Sequence, residues 1–127
     1  MNKTPKKRVL ITFLSLVLAL SFGVPVFADS GGIELKEDRV ITVFASKKVG
    51  GGTWEYGTKT SGILKWKRKK VWSNYWHPNK THGSSAQLGA KTPNRSCVKK
   101  DKTSYASQKS KNTNLTGYAY WNTNCKL

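Results

Sequence analysis

Past residue 28, no window of the chain sustains apolar residues at i, i+3, i+4 and i+7, so a long amphipathic helix is excluded there. What recurs is two-residue alternation in short runs. Thr53-Trp54-Glu55-Tyr56 sets Trp54 and Tyr56 on one face. Ile63 to Lys67 alternates Leu64 and Trp66 with Ile63, Lys65 and Lys67. Val71 to His77 sets Trp72 and Trp76 against Val71, Tyr75 and His77, and Leu115 to Trp121 sets Tyr118 and Tyr120 against Ala119 and Trp121. Gly83 to Leu88, Ser96 to Val98 and Thr103 to Ser107 are further short candidates, and Arg39 to Ala45 (RVITVFA) is a strand by its β-branched composition. Gly, Ser, Thr and Asn fill the connections. Short strands at regular spacing predict an all-β fold, a small antiparallel β-sandwich or a small barrel.

The first 28 residues read differently. Lys3, Lys6, Lys7 and Arg8 precede a run from Val9 to Phe22 interrupted only by Thr12, Ser15 and Ser21; Gly23 and Pro25 then break it, and Val26-Phe27-Ala28 follows. This is the layout of a helical Sec-type signal peptide over 1–28, with cleavage after Ala28 and a secreted product. The apolar run is too short for a comfortable membrane span and ends in a breaker. Cleavage would leave 127 − 28 = 99 residues. A chain of that size buries about 60–65% of its unfolded surface, as one domain without a deep core. Residues 29–49 form an acidic lead-in with its own strand, and Gly50-Gly51-Gly52 opens the main domain, 50–127. The acidic stretch 29–38 is expected to be loose, and a second cut near the glycines would remove it as a pro-piece.

Charge narrows the partners. The whole chain carries 23 Lys and Arg against 6 acids; without residues 1–28 the balance is 19 − 6 = +13. Four acids (Asp29, Glu34, Glu37, Asp38) sit in the lead-in, so from Ile41 onward only Glu55 and Asp101 oppose 17 basic residues. Such a field attracts polyanions, and export strikes intracellular nucleic acid from the candidates. Anionic components of a cell envelope remain, including a peripheral membrane surface. Lys65, Lys67, Arg68, Lys69 and Lys70 form the densest basic patch.

Catalytic chemistry has little to work with. The acids are few, and His77 and His82 straddle Pro78 without a third ligand, so neither a metal site nor a cofactor is expected. No phosphate loop, paired-carboxylate cleft or nucleophile elbow is visible, which argues against an enzyme. Cys97 and Cys125 are an even pair in a small exported domain and read as one disulfide.

All five Trp and all five Tyr lie beyond residue 50. That is more large rings than a small sandwich is expected to hide, and exposed ones suit sugar faces or a bilayer interface beside cations. Two stretches carry a resemblance. Gly52-Thr53-Trp54-Glu55-Tyr56-Gly57 and Ser73-Asn74-Tyr75-Trp76-His77-Pro78-Asn79-Lys80-Thr81-His82 are similar to the lactococcin 972 family of bacteriocins, as is Asn114-Leu115-Thr116 with Tyr118, Tyr120 and Trp121. The likeness covers roughly residues 51–122. Segment 29–49, the basic insert 65–70 and the two cysteines depart from the family pattern.

The resemblance implies a β-sandwich, export, and inhibition of cell-wall synthesis through the precursor lipid II without pore formation. Within the matching stretches, the target contacts are expected at Tyr75, Trp76, His77, Lys80, Thr81 and His82, with Trp54 and Tyr56 beside them. Lys80 would hold phosphate, Thr81 and His82 would donate hydrogen bonds, and the rings would stack. The competing reading of the same motif is a hairpin whose Asn, Thr and His bond to backbone and fix the fold. Two further functional classes stand beside the first: a non-specific membrane-disrupting protein and a non-toxic wall- or glycan-binding module.

Overall fold

The computed structural model describes residues 29–36 and 43–127. The signal segment 1–28, its cut after Ala28 and the first part of the Arg39–Ala45 run lie outside the described residues. Eight strands follow in order: β1 (Ser30–Leu35), β2 (Val43–Val49), β3 (Gly52–Ser61), β4 (Arg68–Trp76), β5 (His82–Leu88), β6 (Asn94–Val98), β7 (Thr103–Ser110) and β8 (Gly117–Asn122). They form two antiparallel four-stranded sheets, β1-β8-β5-β6 and β2-β3-β4-β7, packed as a sandwich. The predicted fold class is the observed one.

Strand alternation assigns the core. On β4, Lys69, Val71, Ser73 and Tyr75 turn inward, while Lys70, Trp72, Asn74 and Trp76 turn outward. Trp54 and Tyr56 project inward from β3 with ring centroids 4.2 Å apart, and Tyr75 meets Trp121 at 5.2 Å. Leu35, Ala86, Leu88, Ala106 and Ala119 complete the apolar centre. Small hydroxyl residues share it, each with a partner. Trp54 Nε1 donates to Ser73 Oγ at 2.8 Å, and Ser73 in turn donates to the Tyr120 carbonyl at 2.7 Å, so one relay links β3, β4 and β8. Ser84 and Ser104 pair at 2.9 Å, and Ser104 Oγ donates to the Ser96 carbonyl. Bonded in this way, polar groups in a core cost little and restrict how the sheets can slide.

Two expectations change. The stretch expected to be loose holds β1, whose residues Ser30 to Leu35 pair in register with Asn122 to Gly117. Gly31 and Gly32 hide this strand from composition, because they lower strand propensity. They also let Trp121 and Tyr120 lie flat on the backbone, where an added Cβ would meet the Trp121 ring at 2.7 Å and the Tyr120 ring at 2.2 Å. Ile63 to Lys67 is no strand either. Leu64–Trp66 forms a single 3-10 turn between β3 and β4, entered through Gly62 at φ 102 and carrying Leu64 at φ 54. Left-handed backbone breaks the ladder that alternation alone suggests.

The expected disulfide is present. Cys97 and Cys125 are bonded with their Cα atoms 6.1 Å apart, tying edge strand β6 to the segment after β8.

Candidate functional site

The S-N-Y-W-H-P-N-K-T-H stretch spans the end of β4, a short connection and the start of β5. Its histidines face inward. His77 is 3% exposed; its Nδ1 accepts the backbone N–H of Asn79 at 3.0 Å and of Lys80 at 3.1 Å. An acceptor role for Nδ1 places the proton on Nε2, which donates to the Gly50 carbonyl at 3.0 Å. Gly50 and Gly51 have φ of 59° and 89°, and Val49 pairs with Gly52, so they form a two-residue hairpin with positive φ at both central positions. A Cβ on Gly51 would lie 3.0 Å from His77 Nε2. The imidazole therefore clasps the β2–β3 hairpin to the β4–β5 connection.

His82 is fully buried and sits between two carbonyls. Nδ1 faces Lys80 O at 2.8 Å and Nε2 faces Lys102 O at 2.5 Å. A neutral ring donates to one of them only; the doubly protonated ring satisfies both. Tyr75, also fully buried, donates its hydroxyl to the Val49 carbonyl at 2.9 Å and packs edge-on against both histidines. Burial pushes the phenol up to about 12, with the Gly52 backbone hydrogen bond pulling in the opposite direction.

The residues expected to touch a target are thus divided. Trp54, Tyr56, Tyr75, His77 and His82 are interior, where strand parity puts them, and present no ring to solvent. Trp76 (37% exposed) and Lys80 are on the surface, and Thr81 is half-buried. The basic patch divides too. Lys65 and Lys67 are exposed and Arg68 and Lys70 are half-buried, but Lys69 shares the inward parity of Val71 and is 1% exposed.

Large side chains do gather on one surface, the outer face of the β2-β3-β4-β7 sheet. The register places Phe44, Gly57, Trp72 and Ser107 in one row across the four strands. Ser46, Glu55, Asn74 and Tyr105 form the next row towards the glycine hairpin, and Lys59, Lys70 and Lys109 form the row on the other side. Same-face rows lie roughly 7 Å apart at the normal strand rise. Gly57 leaves room for the flanking rings, and Phe44 and Trp72 approach across it to 6.4 Å between centroids. Phe44 is 59% and Tyr105 68% exposed. A groove of about 470 Å³ runs along Lys59, Lys70, Trp72, Asn74 and Tyr105. Farther along, Trp76 borders a second depression with Lys48, Thr53 and the three glycines.

This face joins flat rings, amide and hydroxyl groups and a row of cations, with Glu55 as its one acid. Such a surface suits a ligand that is part sugar and part phosphate. Sequence reading missed Phe44, Tyr105, Lys59 and Lys109 as members; for Trp72 and Lys70 the available signal was their shared parity with Trp76. Among the described residues, no group of three or more His, Cys, Asp or Glu is placed to hold a metal ion.

No curated protein and no solved structure matches the chain. The family model described as "Bacteriocin (Lactococcin_972)" matches residues 50–121, from the glycine hairpin clasped by His77 to Trp121 in the core. The chain belongs to the lactococcin 972 family of bacteriocins.

Proposed function

We propose that the protein is a secreted bacteriocin that binds the wall precursor lipid II on the outer face of the β2-β3-β4-β7 sheet and halts wall synthesis without opening pores. Family membership supports the antimicrobial role. The observation that carries the target is the row arrangement: Lys59, Lys70 and Lys109 beside Phe44, Trp72 and Tyr105. Lipid II joins a pyrophosphate to two sugars. Cations at one row would hold the phosphates, and rings one and two rows away would stack on the sugars, each worth about 0.5–2 kcal/mol. Trp76 extends the stacking surface, and Lys80 and Thr81 follow it in the connection to β5.

The test is growth inhibition of related bacteria by the purified protein, with lipid II added as competitor and membrane potential followed in parallel. Protection by the competitor, arrested septation and a steady potential are expected. Tyr105→Ala, which changes an exposed side chain, should weaken inhibition about tenfold with the fold intact. Failure of lipid II to protect discards that target. Prompt depolarisation would instead establish membrane disruption, and glycan binding without inhibition would establish a non-toxic wall module.

A further inference from the structure

The β3–β4 connection has no part in the face just described, and it presents three strongly exposed large apolar side chains close together, including the two most exposed of the described residues. Ile63 is 72%, Leu64 80% and Trp66 65% exposed, three in four consecutive positions at the end of a hairpin. Their exposure is fixed by the backbone. Trp66 N–H donates to Ile63 O at 2.9 Å and Lys67 N–H to Leu64 O at 3.3 Å, closing the 3-10 turn. Gly62 lets the loop close where an added Cβ would lie 2.4 Å from the Trp66 carbonyl. The tip is therefore a folded knuckle whose apolar side chains point away from the protein.

Its surroundings are cationic. Lys65 Nζ lies 5.3 Å from the Trp66 ring centroid, Lys67 is exposed, and Arg68 is held by a hydrogen bond to the Lys67 carbonyl at 2.9 Å. Lys59 and Lys70 pair two residues farther up the hairpin from the Ser61–Arg68 rung. No Asp or Glu occurs between Glu55 and Asp101. Apolar residues at a tip with cations behind them match the depth profile of an anionic membrane surface, with hydrocarbon and glycerol first and phosphates next. The tip's apolar stretch of four residues is far short of the about 9–20 that a spanning strand or helix needs, so it would dock rather than span.

We propose that residues 62–68 are a membrane-docking finger, which inserts Ile63, Leu64 and Trp66 into the headgroup region of an anionic bilayer while Lys65, Lys67 and Arg68 contact lipid phosphates. This inference stands apart from the lipid II reading, because its ligand is ordinary anionic phospholipid. A finger docked this way would bring the Lys59–Lys70–Lys109 row to the level just outside the phosphates.

The test uses vesicles of phosphatidylglycerol and phosphatidylcholine that contain no wall precursor, and protein in one processing state fixed by mass spectrometry. The parent protein should sediment with the vesicles, bind pure phosphatidylcholine at least about tenfold more weakly, and release no trapped dye. Ile63→Ser/Leu64→Ser/Trp66→Ser should lower partitioning on the order of a hundredfold. Its unfolding midpoint should not move, since these side chains pack against no core residue. Phosphatidylcholine brominated near the headgroup supplies a readout independent of that variant: it should quench the parent's fluorescence, and Trp66→Phe should remove most of the quenching. Equal partitioning by the triple variant, or equal quenching in Trp66→Phe, overturns the proposal. So does lipid-free dimerisation that the triple variant abolishes, because a second copy would then be the partner of the tip.

Discussion

Replacing His77 by Ala separates a motif that holds the fold from one that touches a target. The ring makes three hydrogen bonds in a site that is 3% exposed: two accepted at Nδ1 from Asn79 and Lys80, and one donated from Nε2 to Gly50. Each is worth about 1 kcal/mol net, and a group left unpaired in the interior costs about 1–3 kcal/mol. Asn79 and Lys80 are exposed, so water can recover part of their loss. Adding the ring's lost packing gives a destabilisation of about 3–4 kcal/mol, a large share of the 5–15 kcal/mol typical of a domain. Urea unfolding followed by tryptophan fluorescence measures this directly: the midpoint should fall with the slope unchanged. At temperatures where the variant remains folded, its affinity for lipid II should match the parent's. Tyr105→Ala should show the inverse, with the midpoint kept and affinity reduced. A His77→Ala protein within about 1 kcal/mol of the parent in stability but tenfold weaker in binding would refute the clasp and return the ring to the target interface.

Other outcomes follow from the same contacts. The Tyr75 phenol, ordinarily near 10.0, is pushed up to about 12 by burial. The unfolded chain therefore releases this proton first, and stability falls by on the order of 2 kcal/mol as pH rises from about 10 to about 12. Denaturation of the parent and Tyr75→Phe across that range checks it; identical slopes would exclude Tyr75 as the cause. The Cys97–Cys125 bond has a sequence separation of 28, for which loop closure predicts about 3.5 kcal/mol. Cys97→Ser/Cys125→Ser should lower the urea midpoint accordingly, and an unchanged midpoint would contradict the estimate. Gly52→Ala places a Cβ 2.1 Å from the Trp76 carbonyl oxygen, an atom of the paired strand that cannot rotate away. A loss of about 3 kcal/mol or more is expected in thermal melts, and a parent-like melting temperature would show that the hairpin can shift.

Alternation revealed the strands that run between polar turns, because a half-buried strand writes its two faces as odd and even positions. It did not reveal which face is the core. On β4 the larger rings, Trp72 and Trp76, face outward, while Tyr75 and His77 face inward with polar atoms that find backbone partners. That choice is made by Trp121 of the opposite sheet and by the glycine hairpin at the end of the same sheet, and neither lies near β4 in sequence. For the same reason Lys69 could not be separated from Lys67 and Lys70 by composition. β1 was hidden because its pairing comes wholly from β8, at the other end of the chain, and not from its own residues. The disulfide was legible because an even cysteine count behind a signal-like amino terminus suffices to suggest it.

That first pairing sets an order of events for the polypeptide as it forms. Asp29 accepts a hydrogen bond from the Thr123 N–H at 2.8 Å, and Ser30 sits opposite Asn122. A chain made from its amino end presents β1 first and the strand that completes it last. The β1-β8-β5-β6 sheet consequently has no closed form until nearly the whole polypeptide has emerged. Such a topology leaves one sheet of the sandwich, and the contacts of Trp121 with the other, to be completed by the last strand of the chain.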